Sequence, residues 1–261
     1  MNALFKISKK DLYNVFLLKY GSHEKTGWGP RQRLQYGYYQ PADYYESLIT
    51  KLVAHNTFWL DVGGGGNLFP HNIKSSDFLS KKAAFIVGVD PSDNIKSNPF
   101  IDDYSQCFIE EYQSKKKFDL VTLRMVAEHI EYPEKVIAAL YKLLKKDGVV
   151  VIFTVNRWSP ATIISRLLPF KLHYPIKKFF FRGEEKDTFP TVYKMNTRKQ
   201  LKNLFEKSGF KKELFSYIDD CCTFNRFKLL NNIELIFWKI IKFLGVPYPE
   251  NCILAVYRKI S

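Results

Sequence analysis

Four consecutive glycines, Gly63 to Gly66, follow directly on a short apolar run that ends in an acid, in the stretch FWLDVGGGGNLFP from Phe58 to Pro70. Glycine loses more conformational freedom on folding than any other residue, so four in a row weaken any helix or strand that holds them. The run therefore marks a turn whose backbone must come close to something, and FWLDV before it predicts a short buried strand.

The rest of the chain alternates. ADYYESLITKLV predicts a helix ahead of the turn; AAFIVGVD predicts a second strand ending in an acid, CFIEEY a third, KKKFDLVTLRM a fourth and VVVIFTVN a fifth. Between the last two, EYPEKVIAALYKLLKKDG predicts a helix that starts at Pro133 and Glu134 and closes at Lys145, Lys146 and Gly148. Its Val136, Ile137, Leu140, Leu143 and Leu144 recur at core-facing spacing. Further on, TRKQLKNLFEKSGF and NNIELIFWKIIKFLG predict helices, and KKELFSYIDD and NCILAVYRKI predict strands. Continuous apolar strands alternating with amphipathic helices imply a mostly parallel sheet covered on both faces.

Composition narrows the partners. With 261 residues, 46% hydrophobic and 16% aromatic, the chain can bury a core as one large domain or as one domain with a substantial insertion. A net charge of +14 favours anionic partners, whether nucleic acid, phosphorylated small molecules or an anionic membrane surface. The lysines come mostly as scattered pairs such as Lys81-Lys82 and Lys211-Lys212, the pattern of a solvated surface, and no concentrated basic tract supports a nucleic-acid partner. Four cysteines, Cys107, Cys221, Cys222 and Cys252, form no C-x-x-C and lack a histidine at ligand spacing, so no metal is expected. No signal-peptide pattern opens the sequence, and no apolar run reaches the roughly 18 residues that span a bilayer. The expected setting is cytoplasmic, at the inner face of the membrane if the apolar segments touch it.

The glycines do not read as a phosphate cradle. A dinucleotide fingerprint in the register of Gly63 and Gly65 requires glycine where Leu68 stands, and no Gly-Lys-Ser/Thr ends a P-loop. What fits is acid, apolar, Gly, x, Gly, in Asp61-Val62-Gly63-Gly64-Gly65, followed by a second acid, Asp90, at the end of the next strand. An acid there can accept hydrogen bonds from both hydroxyls of a ribose. The ordered pair points to a nucleoside joined to something other than a pyrophosphate.

On WLDVGGGG, IVGVDPS and FDLVTLRMVAEHIEYPEKVIAALYKLLKKDGVVVIFTVN, the chain resembles the class I S-adenosylmethionine-dependent methyltransferases. The last run is similar to the pattern of the ubiquinone-type small-molecule branch. The resemblance implies α/β architecture: a Rossmann-like, seven-stranded, mostly parallel sheet with helices on both faces and an inserted cap. It divides the chain into an N-terminal helical lid segment (1–50), a cofactor-binding core (51–156), a cap or acceptor insertion (157–195) and the C-terminal part of the same α/β domain (196–261).

Carried over position by position, the resemblance places Gly63 and Gly65, with Gly64 between them, against the methionine part of S-adenosylmethionine, with Asp61 orienting that loop and helping to hold the ammonium. Asp90 would take the ribose hydroxyls and Pro91 would pack on the adenine; Ile109 and Glu110 fall beside the adenine, and Arg124 where a main-chain carbonyl meets the ammonium. The family's third glycine is Asn67 here, a residue that enters left-handed backbone more readily than most.

A sulfonium methyl is already activated, so the protein has mainly to align a nucleophile, with a general base where the acceptor is a hydroxyl. His129 is the candidate base; the same imidazole can instead be tied to nearby main chain. His173, Asp187 and Tyr193, in or just after the insertion, could face an acceptor or belong to a solvated loop; Asp102-Asp103 predicts a turn. Arg31, Arg33, Tyr36 and Tyr38 could close the site or pack as aromatics at the sheet's edge. The expected acceptor is a hydroxyl of a sugar, glycolipid or secondary metabolite, with lipid-linked acceptors as a refinement. IISRLLPF and IELIFWKIIKFLG suit either an anionic membrane surface or the core. An RNA-modifying enzyme and a non-catalytic cofactor-binding relative are the alternatives; the former lacks the N-P-P-Y/F motif after the fourth strand, where LRMVAEH stands.

Overall fold

The computed structural model describes residues 3–22, 24–167 and 190–260. Three helices, α1 (Lys9–Tyr20), α2 (Trp28–Tyr36) and α3 (Pro41–Leu52), lead into β1 (Phe58–Val62), α4 (Ile73–Lys82), β2 (Phe85–Val89), β3 (Asp103–Ser105), β4 (Phe118–Arg124), α5 (Pro133–Leu143) and β5 (Leu144–Val155). After α6 (Pro160–Leu167) come α7 (Arg198–Lys207), β6 (Phe210–Ile218), α8 (Lys228–Phe243) and β7 (Cys252–Lys259). The strands form one sheet in the order β3-β2-β1-β4-β5-β7-β6. Strands β1 to β5 pair in parallel, while β7 runs antiparallel to both β5 and β6.

Because side chains alternate across a strand, the apolar runs feed two cores at once. Trp59, Ile86, Leu120, Val151 and Leu254 pack with Leu48 and Ile49 of α3 and Leu79 of α4. Leu60, Val87, Val121, Ile152 and Ala255 pack on the opposite face with Ile137 and Leu140 of α5 and Phe205 of α7. The alternation that buries Leu60 on the α5 side turns Asp61 toward the α3 side, where Trp59 also lies.

Several sequence expectations change. The third strand is not CFIEEY but Asp103–Ser105, which pairs with Val87 to Val89, while Asp102 Oδ2 accepts the Ile86 N–H at 2.7 Å. The Asp102-Asp103 pair thus starts a sheet edge rather than only a turn. CFIEEY folds into consecutive turns, with the Glu111 N–H on Phe108 O and the Tyr112 N–H on Ile109 O, which leaves Ile109 as its buried anchor. Helix α5 stops at Leu143 rather than running to Gly148. Leu144 pairs with Phe118, Asp147 takes a φ of 62°, and a Cβ on Gly148 would press on the carbonyls of Lys145 and Phe118, so this stretch opens β5. Asn67 is not left-handed; its Oδ1 accepts from the Phe69 N–H and the Ser76 hydroxyl, a side-chain cap that needs no positive φ.

Strands β6 and β7 form an antiparallel pair whose connection carries α8. Ile218, Cys252 and Val155 are level with one another, so α8 rises from the edge of the sheet where β1, β2, β4 and β5 end. It is fastened there by polar groups: Glu234 accepts the N–H groups of Thr223 and Phe224 at 3.1 and 3.2 Å, Asn231 donates to Asn225 Oδ1, and the Trp238 indole donates to Asp219. Its apolar residues, placed in the core by one sequence reading, mostly face outward: Leu229, Ile233, Phe237 and Phe243 are all exposed. Among the described residues no helix is long and apolar enough to cross a membrane.

Candidate active site

The ends of β1, β2 and β4 converge on the glycine turn. Gly63 has a φ of 70° and Gly65 one of 50°, backbone that costs other residues strain. A Cβ at Gly63 would run into Val126, and one at Gly64 would run into Asp61 Oδ2. Gly66 has ordinary clearance, so three of the four glycines are required by geometry. The turn is pinned from below by the Gly63 N–H on Val89 O at 2.8 Å.

Two carboxylates flank the turn. Asp61, buried at 3% exposure, accepts from the Thr122 hydroxyl at 2.6 Å, and Thr122 in turn accepts from the Trp59 indole at 2.7 Å. Burial pushes its carboxyl from 3.8 up to about 7, against the opposing pull of Thr122 and Arg124. Asp90 binds the turn directly: Oδ2 accepts the Gly65 N–H at 3.0 Å and Oδ1 the Ser92 N–H at 2.7 Å. Each of its oxygens retains a lone pair for a further donor. Asn98 completes the cradle by donating to Gly65 O at 3.1 Å.

The other expected positions follow the ends of β2 and β3 or end β4. Pro91 is exposed just beyond Asp90, and Ile109 and Glu110 sit in the turn after β3, Ile109 buried and Glu110 half-buried. Arg124 ends β4, and its guanidinium acts on both Asp61 and Glu128 by charge. Met125, next along, is held at a φ of 53° with its N–H on Phe153 O at 2.7 Å, so the chain turns sharply at the tip of β4.

A second buried network lies one strand further on and was not read from sequence. Glu128 accepts from the Thr154 hydroxyl at 2.7 Å, and Asn196 donates to the same hydroxyl at 2.8 Å. Burial raises the Glu128 carboxyl. Its main-chain carbonyl takes the N–H groups of Val192 and Tyr193, so residues 190–196 dock onto the loop after β4. Tyr193, expected in a solvated loop or facing an acceptor, is buried with a φ of 53°. The only sequence signal was the Thr-x-Asn at 154–156; the partner Asn196 lies forty residues on. His129 belongs to the same seam, its Nδ1 bonded to Pro190 O at 2.8 Å. A carbonyl only accepts, so Nδ1 carries the proton and Nε2 is the basic nitrogen of the neutral ring. His173 and Asp187 lie outside the described residues.

In the N-terminal segment, Arg31 donates to the carbonyls of Glu24 and Thr26, and Arg33 is buried and donates to the Tyr20 hydroxyl at 3.2 Å. Tyr38 is buried edge-on to Trp238 of α8 and accepts the Cys221 N–H, while Tyr36 packs beside it. Among the described residues no group of three His, Cys, Asp or Glu could hold a metal.

A mostly parallel sheet with a glycine turn at its first strand and an acid at the tip of its second is the arrangement of Rossmann-like nucleoside-binding proteins. A methyltransferase-domain family profile matches residues 35–214. The chain is 26% identical over 210 residues to the ubiquinone biosynthesis O-methyltransferase of Rickettsia canadensis, covering 76% of this chain and 83% of that one. To the enzyme of the same name from Pasteurella multocida it is 31% identical over 122 residues, covering 39% of this chain and 48% of the relative. In fold it is similar to a SAM-dependent methyltransferase from Archaeoglobus fulgidus, with a TM-score of 0.54 at 15% identity over 95% of this chain and 99% of that one. The chain belongs to the methyltransferase-domain family: it is a class I methyltransferase that uses S-adenosylmethionine.

Proposed function

We propose that the chain methylates a hydroxyl of a small molecule, a sugar, glycolipid or secondary metabolite, with the donor seated on the glycine turn. The observation that carries the seat is the turn at Gly63 to Gly65, left-handed at Gly63 and Gly65 and pressed against Val126 and Asp61 where any Cβ would stand, with Asp90 bonded to it from the tip of the next strand. Gly63, Gly64 and Gly65 would face the methionine part of the donor, with Asp61 and the main chain of Arg124 near its ammonium. Asp90 would accept from the ribose hydroxyls through the lone pairs that Gly65 and Ser92 leave it. Pro91, Ile109 and Glu110 would border the adenine.

When bound, the donor supplies an electrophilic methyl carbon on sulfur. The protein's own contribution is alignment and proton removal. With an acceptor hydroxyl aligned on that methyl carbon, His129 Nε2 would take the hydroxyl proton. The bond from His129 Nδ1 to Pro190 O is the main-chain tie that a structural imidazole also makes, and it suits the base role by setting the tautomer. Oxygen as the accepting atom is supported by the relatives whose names specify O-methyl transfer.

The test begins with calorimetric titration of S-adenosylmethionine and S-adenosylhomocysteine into the wild type, Asp90→Ala and Gly65→Val. Binding by the wild type that both substitutions weaken at least about tenfold, ~1.4 kcal/mol, supports the seat. A methyl-transfer screen over sugar, glycolipid and phenolic hydroxyls then follows, with His129→Gln compared across pH. Transfer to amines in preference to every hydroxyl would overturn the acceptor reading.

A further inference from the structure

Helix α8 has apolar residues on both faces. Its inward face packs Leu235 and Ile241 against Tyr38 and Tyr248 and is fastened by polar groups: the buried Glu234 carboxylate on two main-chain N–H groups, Asn231 on Asn225, and the Trp238 indole on Asp219. Its outward face is a continuous apolar stripe. Leu229, Ile233, Ile236, Ile240 and Phe243 recur at intervals of four, three, four and three residues, with Phe237 beside them. All are exposed, Leu229 at 73% and Phe243 at 89%. Scattered exposed hydrophobics need no explanation; a stripe four turns long on one helix marks an interaction surface.

The charges around the stripe choose its partner. Lys228 and Lys239 stand along one flank, leaning over the rings of Trp28 and Tyr36 of α2 at 5.8 and 5.6 Å, and Arg226 precedes the helix. Lys242, on the same side of the helix, is paired with Asp219 at 3.3 Å and adds less to this charge. A second copy would bring the same lysines and another chain of net charge +14 against this face. Anionic headgroups meet the lysines with opposite charge while the acyl region receives the stripe, the arrangement of a helix lying in a membrane interface.

We infer that α8 docks this protein onto an anionic lipid bilayer. Since α8 rises from the edge of the sheet that carries the glycine turn, docking sets that edge toward the membrane, where Trp158 and Ile164, the former just before α6 and the latter in it, are also exposed. Helix and bilayer make this contact whatever acceptor the enzyme uses, so the inference goes beyond the acceptor proposal and stands or falls separately from it.

The test is co-sedimentation of the full chain with phosphatidylcholine vesicles, with and without phosphatidylglycerol. The wild type is expected to bind the anionic vesicles at least about tenfold more tightly than the neutral ones, and to lose that preference in high salt. Phe237→Glu with Ile240→Glu should cut binding at least about tenfold. Phe243→Glu, at a position the rest of the protein hardly touches, should weaken it measurably while leaving the circular dichroism spectrum and Tm unchanged. Wild type that stays in the supernatant, or variants that sediment as it does, would overturn the inference. A solution dimer that Phe237→Glu converts to a monomer would overturn it too, by giving the stripe to a second copy. Vesicle binding without methyl transfer to any lipid-linked acceptor would sink only the acceptor proposal.

Discussion

Helices α5 and α8 carry comparable apolar periodicity, and the molecule uses it in opposite senses. In α5, Val136, Ile137, Leu140 and Leu143 point into the core beside β4 and β5, and charged residues face out. In α8 a carboxylate, an amide and an indole N–H hold the inner face beside the buried Leu235, and Leu229, Ile233, Ile236, Phe237, Ile240 and Phe243 face out. The difference follows the division of the sheet. The half from β1 to β5 seats the glycine turn and is closed by helices on both sides, whereas α8 stands above the sheet's edge on a hairpin. Amphipathic periodicity therefore specifies that a helix has two faces and is silent on which of them meets the protein.

The largest effect should come from the first half. Leu140→Ala removes a fully buried side chain from α5 and should cost about 2–5 kcal/mol in denaturant unfolding; a loss as small as a surface substitution gives would erase the contrast. Gly64→Ala sets a Cβ against Asp61, and overpacking of this kind should cost roughly 1–3 kcal/mol in denaturant unfolding and weaken donor binding in titration. On the other side, Glu234→Gln leaves one of the two main-chain N–H groups facing an amide and should destabilise by about 1–3 kcal/mol, showing that α8 is anchored by its polar face.

Asp61 gives a subtler test, read by its sign. Its carboxyl is raised by burial from 3.8 to about 7, so folding takes up a proton. The stability this contributes is complete below about 3.8 and is lost as pH rises through about 7. Asp61→Asn should therefore gain Tm relative to the wild type as pH climbs through that window, while wild-type affinity for a donor bearing an ammonium rises over the same range. The smallest expected effect is Phe243→Ser in α8: within about 0.5 kcal/mol of wild type in unfolding, the behaviour of a surface residue.

Much of the first half was legible because backbone geometry restricts residue identity. Positive φ at Gly63 and Gly65, and the contact at Gly64 that excludes a Cβ, permit little but glycine, so the turn announces itself. Asp61 and Asp90 were legible from their place at strand ends. Helix α5 was legible except at its end, where Asp147 and Gly148 divert the chain into β5. The third strand was misplaced because three residues at a sheet edge, Asp103 to Ser105, have no apolar alternation of their own and are strand only through pairing with β2. The network of Glu128, Thr154 and Asn196 was invisible because its members are each ordinary and meet only across the fold.

The sequence alone determined the class of fold, the position of the glycine turn and the two acids beside it, because local backbone and strand periodicity are written residue by residue. Tertiary structure alone decided that Asp61 is buried deeply enough to raise its carboxyl, that His129 is fixed through Nδ1 on Pro190, and that α8 turns its apolar face outward. Each of these depends on partners distant in the chain, and burial, proton affinity and orientation are properties of those partners as much as of the residue itself.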